Sequence, residues 1–529
     1  MKVRSPLFLL LLMLLMLSGC SWDSTEYSQP PASPQSTAPY FDVKEGKYDP
    51  PVDLYTVGSV NPNLNFIKGE SLEHNVHTAW AEKRLGIRIR YLWTISGTSE
   101  TYANKLRLEL AKGNMPDIVT TRDAAIIQEL IDSGQFMEVG DLFEQHASEV
   151  WKKAVAEDAS AWNPFMRGAH RYAIPIMDYE YNSDPLLWVR QDWLDKLHLK
   201  APQTLDELEQ VMDAFVNRDP DGNGIKDTYG LSVGFRNGPS TWMGDSSWVF
   251  GAYGTVPEQW NRRSDGTLEY GSIQPGARKA ALLMKQWVQR GYLSADSAWL
   301  DEEGAANQFI SGKAGIIAGP YWMRGWPLSS LTNSDAEAHI RAIAIPSGPG
   351  GLTMRRGTLP VNGAILINKQ MKHPEIFFTY QNYLFDSYAT STGEFAHGLA
   401  EGYDWSMAGG QPSAQSSALP LGGIRVASYT LTFDGARIPS GVIREIPKDI
   451  APVLLGQKEA SRKEQFTGPP TATMKRDGEL LKKLEQKSFI KIIFADSPLE
   501  EFDEFVHKWN TYGGLTETME VNAWDRSSR

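Results

Sequence analysis

Between Asp219 and Gly230 the chain reads Asp-Pro-Asp-Gly-Asn-Gly-Ile-Lys-Asp-Thr-Tyr-Gly, a dense run of oxygen donors. Asp219, Asp221, Asn223 and Asp227 stand at the first, third, fifth and ninth positions of a calcium loop of the EF-hand type. Gly224 takes the tight sixth position, and Ile225 the seventh, where a backbone carbonyl serves. The twelfth position is Gly230 instead of a bidentate glutamate, so a carboxylate from elsewhere or water has to complete the shell. A solvated turn held by Asx hydrogen bonds is the competing reading.

Aromatic residues form the second chemical signal, with 17 Trp and 20 Tyr in the chain. Flat amphipathic rings can stack on the apolar faces of sugar rings while a polar edge stays wet. Tyr179 and Tyr181 follow Pro175. Trp242, Trp248, Phe250 and Tyr253 sit in a stretch rich in Gly, Ser and Asn. Tyr321, Trp322 and Trp326 follow the Gly319-Pro320 turn. Packing in a core or between lobes is the other use of each ring. Arg324, Arg355 and Arg356 could bond hydroxyls or pair with uronate carboxylates, or simply be solvated.

Catalytic signatures are weak. The sequence has no Walker A loop, dinucleotide glycine fingerprint, Gly-x-Ser-x-Gly elbow or His-Glu-x-x-His. His74 and His77 have helical spacing but no third ligand, so they read as solvated and not zinc-bound. Asp178 with Glu180, or Asp301 with Glu302, are nominal glycosidase pairs, which keeps a surface-anchored carbohydrate-active enzyme, a glycosidase or lyase, as the alternative function.

The N-terminus carries Lys2 and Arg4, an apolar run from Pro6 to Leu17, and then Leu17-Ser18-Gly19-Cys20. This is the layout of a bacterial secretion signal, and the run is too short for a stable span of a bilayer about 30 Å thick. The four residues ending in Cys20 resemble the lipobox of bacterial lipoproteins, in which the cysteine is lipidated. Cys20 is the only cysteine, which excludes disulfides. Residues 1–19 are expected to be a signal peptide and 20–40 a Ser-, Pro- and Thr-rich tether. A net charge of −12 argues against a nucleic-acid binder.

Elements that could position these residues alternate in type. Strand patterns at 52–57 and 87–93 flank a helix from Glu73 to Leu85 that Gly86 stops; a helix at 101–111 precedes a strand at 116–119. This rhythm points to an α/β lobe with a largely parallel sheet. Further on, Leu186–Arg190 is a strand candidate, and Thr204 with Glu207 forms a capping-box pattern ahead of a helix to Phe215. Buried strands are expected at 314–319 and 342–346, and amphipathic segments at 489–493 and 499–509.

Taken in order, several stretches resemble the family 1 extracellular solute-binding proteins, especially the large Gram-positive lipoprotein branch. They include Ala111 to Ile118, Tyr172-Ala173-Ile174-Pro175, Trp188 to Asp195, Asp219 to Gly230, Phe309 to Gly315, Pro346 to Gly351 and Glu501 to Val506. The resemblance implies a type II periplasmic-binding-protein fold: two α/β lobes, a hinge and an interlobe cleft. It implies one lobe from 41–176 with 356–440 and another from 177–355 with 441–529. It further implies a monomer, lipid-anchored on the extracytoplasmic face of the cell membrane, that captures an oligosaccharide and delivers it to ABC permease subunits. Tyr179 and Tyr181 would fall where the family places cleft residues, and Trp322 where maltodextrin-binding relatives carry a stacking Trp. Related sugar-binding lipoproteins carry a loop like 219–230, which favours structural calcium.

Overall fold

The computed structural model describes residues 39–60, 66–414, 425–495 and 497–528. Cys20, the signal segment and nearly all of the tether lie outside the described residues. Along the chain, the first lobe is built from β1 (Val52–Val60), α1 (Val76–Leu85), β2 (Ile87–Ser96), α2 (Ser99–Lys112), β3 (Ile118–Thr121) and β4 (Ile174–Met177). The second lobe follows with β5 (Leu186–Arg190), α3 (Leu205–Asn217), β6 (Tyr229–Ser232), β7 (Ala314–Gly319) and β8 (Ile340–Ile343). Strand β9 (Val361–Ile367) returns to the first lobe. The C-terminal helices α4 (Ala472–Phe494), α5 (Glu501–Trp509) and α6 (Leu515–Ser528) pack on the second.

Local chemistry accounts for several boundaries. Helix α1 starts after Asn75, whose side chain accepts from the backbone N–H groups of His77 and Thr78, and it ends at Gly86 in the left-handed conformation. Its start falls short of Glu73 because Asn75 is the better cap. Helix α3 starts at Thr204 as expected, its hydroxyl accepting from Glu207 N–H at 3.2 Å. The Glu207 carboxylate reaches one residue further back, to Gln203 N–H at 2.7 Å. His77 is not solvated: it is buried, its Nε2 lies 2.7 Å from the Tyr380 hydroxyl, and burial lowers its pKa to about 3.

The sheets are mixed, not largely parallel. β1 and β2 pair in parallel, but β9 lies between β3 and β4 and runs antiparallel to both. In the second lobe the order is β6-β7-β5-β8; in this sheet the β6–β7 pairing is the one parallel pairing among the described residues, and β5 opposes both its neighbours. The reason is connectivity. A parallel neighbour needs a crossover that carries the chain back along the sheet, whereas β5 and β9 each arrive directly from the other lobe and enter their sheets from the cleft side. The strands flanking β5 and β9 therefore point their carboxyl ends at the cleft, where open α/β sheets bind ligands.

Buried apolar residues fall into cores drawn from 48–177 with 364–436 and from 186–345 with 442–521. Among the described residues the chain passes between them three times, and the crossings are tied to one another. Asp178 N–H donates to Pro360 O at 2.9 Å, and Glu180 N–H to Pro439 O at 3.1 Å. The Arg437 guanidinium bonds Asp178 Oδ1 at 2.7 Å and Asp434 Oδ2 at 3.3 Å. Thr358 N–H donates to Asp184 Oδ1 at 2.8 Å.

Candidate functional site

Trp242 stands on the loop that leaves the cleft end of β6. Thr241 N–H donates to Asp245 Oδ2 at 3.1 Å, and Trp242 N–H to Glu302 Oε1 at 2.7 Å. Gly244 N–H reaches Ala318 O of β7 at 2.9 Å, and Arg356 Nη2 donates to Thr241 O at 2.7 Å. A Cβ on Gly319 would sit 2.8 Å from Trp242 O and 2.1 Å from Met323 Sδ, so only glycine lets β7 and this loop approach so closely. The loop backbone is thus clamped on several sides while the Trp242 ring remains 46% exposed. Asp245, fully buried beneath it, has its pKa raised by desolvation, offset in part by Arg356 at 3.7 Å.

From Trp242 an aromatic run extends along the turn after β7. Trp322 meets Trp242 edge to face at 6.0 Å, and Trp326 stacks on Trp322 at 6.3 Å. The Trp322 indole N–H donates to Asn182 O at 2.8 Å, fastening this turn to the first crossing. Trp326 is exposed, whereas Tyr321 is buried against the core. Tyr179 is half-buried with the Arg437 guanidinium 4.9 Å from its ring centre, and it lines a recess of about 100 Å³ at the crossings. Tyr181 holds a positive φ of 62° in the same crossing.

Trp248 is corrected from a cleft residue to a core residue. It has no exposed surface, lies 6.4 Å from Trp287, and donates its indole N–H to Asp245 O at 2.9 Å. The arginines are engaged as well. Arg324 pairs with Asp449 at 2.5 Å, away from the cavity, and the buried Arg355 donates to Pro185 O and Leu454 O and faces Asp184 at 3.4 Å.

At the junction of the lobes lies a cavity of about 490 Å³. Its outer part is bounded by Trp242, Asp178, Leu359 and Asn362; its inner part reaches between α4, α6 and the hairpin of Trp260–Arg262 with Leu268–Tyr270. The inner wall carries Glu258, Glu464, Glu485 and Glu517 with Tyr270 and Trp509, none of which stood out in the sequence. One signal was present: Glu485 interrupts the apolar stripe Leu481, Phe489, Ile492 on α4, where a carboxylate is costly unless it serves something. Glu464 accepts two backbone N–H groups, that of Trp260 shared between its two oxygens at 3.0 and 3.2 Å and that of Phe466 at 2.8 Å, yet desolvation still raises it to about 7.

In the 219–230 loop the oxygen side chains share one turn. Asn223 Nδ2 donates to Asp221 Oδ2 at 2.6 Å and Asp227 Oδ1 at 3.3 Å, and Asp219 Oδ2 accepts Gly224 N–H at 3.1 Å. Asp219 Oδ1 is buried without a partner. Asp221 has its pKa raised, by desolvation first and then by Asp219. Asp227 turns to the Lys313 ammonium, and Ile225 O accepts Asp227 N–H at 3.1 Å. Among the described residues no three acidic, His or Cys side chains converge closely enough to hold a metal in this arrangement. Gly230 lacks a side chain because β6 packs on α3 there: a Cβ would lie 2.5 Å from that of Met212.

Two α/β lobes, three tied crossings and a cavity at their junction define a two-lobe ligand-binding protein of the periplasmic-binding type. The chain belongs to the bacterial extracellular solute-binding protein family, whose model matches residues 65–389. It is similar to the polygalacturonan/rhamnogalacturonan-binding protein YtcQ of Bacillus subtilis (strain 168), with 24% identity over 471 residues, 82% of this chain and 84% of that relative. Among solved structures it resembles the S. pneumoniae ABC-transporter substrate-binding protein FusA in complex with kestose, with TM-score 0.66, 18% identity, and coverage of 90% of this chain and 99% of that one. A FusA EF-hand mutant in complex with fructo-nystose aligns over the same shares at 18% identity and TM-score 0.63. These two structures share the fold.

Proposed function

We propose that this chain is the receptor of an ABC importer, held by a lipid on Cys20 at the outer face of the membrane, and that its ligand is an oligosaccharide. The observation that carries this reading is Trp242: a half-exposed indole on a rigidly clamped loop, at the mouth of a cavity that both lobes line, continued by Trp322 and Trp326. Such a row of rings offers successive platforms to successive sugar units. Binding that touches both lobes favours the closed arrangement, which is how a ligand shifts a hinged pair. YtcQ is named for binding polygalacturonan and rhamnogalacturonan, and FusA is seen in complex with kestose, which supports a saccharide ligand here.

The enzyme alternative is disfavoured by what the nominal acid pairs do. Asp178 is bound by Arg437, Tyr179 N–H and Asn182; Asp301 caps the helix from Glu302, and Glu302 holds the Trp242 backbone. Asp219, Asp221, Asn223 and Asp227 with the Ile225 carbonyl would hold a structural calcium ion, which would supply the orphaned Asp219 Oδ1 with a partner and draw the loop together. The FusA variant described as an EF-hand mutant supports such a loop in this fold. The test is a glycan panel read by thermal shift. Stabilisation by a saccharide that is recovered intact is expected, since a ligand that binds only the folded state stabilises it; turnover, or no saccharide response, overturns the reading.

A further inference from the structure

The inner end of the cavity holds more carboxylates than cations, and its neighbours offset them only in part. Glu485 on α4 is 2% exposed; its Oε2 accepts the Tyr270 hydroxyl at 2.8 Å, while its Oε1 is buried with no partner. Glu517 on α6 is 6% exposed, and its Oε2 is likewise buried and unpartnered. Glu258 enters from the other side, its Oε2 accepting Ser240 N–H at 3.0 Å. Two cations share the cavity wall with them. Lys482, exposed and three residues before Glu485 on α4, lowers the Glu485 pKa, and Arg356, which donates to Thr241 O and faces Asp245, lowers that of Glu258, but neither outweighs desolvation. Desolvation raises the pKa of Glu258, Glu485 and Glu517, and in each case a neighbouring acidic group adds to the rise.

Buried carboxylate oxygens without donors cost free energy that a helix bundle could avoid with apolar residues. A ligand bearing a cation reverses this balance. An ammonium has three N–H donors and no acceptor, so it matches a wall of acceptors and favours their ionised forms. A uronate carboxylate would meet the same three carboxylates with repulsion, and Arg324 and Arg355 are paired with Asp449 and Asp184 away from this wall. We propose that the inner end of the cavity, formed by Glu258, Glu485 and Glu517, is a subsite for the ammonium group of an amino-sugar unit in the bound oligosaccharide. This rests on the oligosaccharide reading and narrows it to a cationic class.

The experiment compares three saccharides of equal length by titration calorimetry on the folded chain: a glucosamine oligosaccharide, its N-acetylated counterpart and a galacturonate oligosaccharide. The glucosamine chain is expected to bind at least about tenfold more tightly than either of the others, the scale of one charge-assisted contact. Glu485→Gln and, separately, Glu517→Gln should each abolish that preference while the melting temperature holds or rises. Equal or tighter binding of the acetylated or galacturonate chain overturns the proposal, as does an undiminished preference in both variants. If neutral saccharides bind and the glucosamine chain does not, the subsite is wrong but the receptor reading stands; if no saccharide binds, both fall.

Discussion

Replacing Trp242 by alanine separates a ligand platform from a packing residue, and the size of the effect follows from the structure. The ring is 46% exposed. A buried tryptophan covers on the order of 200 Å², so about 100 Å² is open to a ligand. At about 25 cal/mol per Å², covering that face stabilises the complex by about 2.5 kcal/mol, or about 70-fold in affinity. The half already packed near Trp322 lets folding stability fall by at most about 2–3 kcal/mol, an upper bound since the unfolded chain is not fully extended. Trp248→Ala is the matched control. Its ring is fully buried, so unfolding should weaken by about 3–5 kcal/mol with affinity kept in the molecules that remain folded. Calorimetry and chemical denaturation on both variants read the two quantities independently. A Trp242→Ala protein that keeps its affinity to within about threefold, less than 1 kcal/mol, would refute the platform.

Chelation should lower the melting temperature of the wild-type chain, with magnesium restoring it poorly, and the combined Asp219→Ala and Asp221→Ala variant should show no such difference. Arg437→Ala strands Asp178 and Asp434, both largely buried at the crossings, and should cost about 3–5 kcal/mol in denaturation; a loss under about 1 kcal/mol would show that the tie does little. Glu464 binds its proton more tightly in the folded chain, at about 7 against an ordinary 4.5, so its contribution is complete below the lower value and is lost as pH rises through the higher one. Glu464→Gln should therefore gain on the wild type from about pH 5 to pH 8, by at most about 3 kcal/mol. His77, held low by burial, slopes the opposite way but cancels in that difference, and a flat difference would refute the assignment. Cys20→Ser should release the protein from washed membranes with unchanged saccharide affinity.

Much of the secondary structure was legible because its causes are local. The αL glycine at Gly86, the Thr204 cap and the apolar runs of β5 and β7 act within a turn or a few residues, and all appear where the pattern placed them. Strand direction was not legible, because β5 and β9 take their sense from the lobe they come from. The site divided in the same way. Trp242 and Trp248 lie six residues apart in one Gly- and Ser-rich stretch and are equal candidates by type. One is half exposed and the other fully buried, since Arg356, Glu302 and Ala318 clamp the loop from segments remote in the chain. The acidic inner wall was hidden for the same reason. Glu258, Glu485 and Glu517 belong to three separate segments; Glu258 and Glu517 alone are ordinary glutamates, and Glu485 shows only as a break in the apolar stripe of α4. Their shared burial arises only when α4 and α6 close over the hairpin, because desolvation and charge repulsion depend on distance through space and not along the chain.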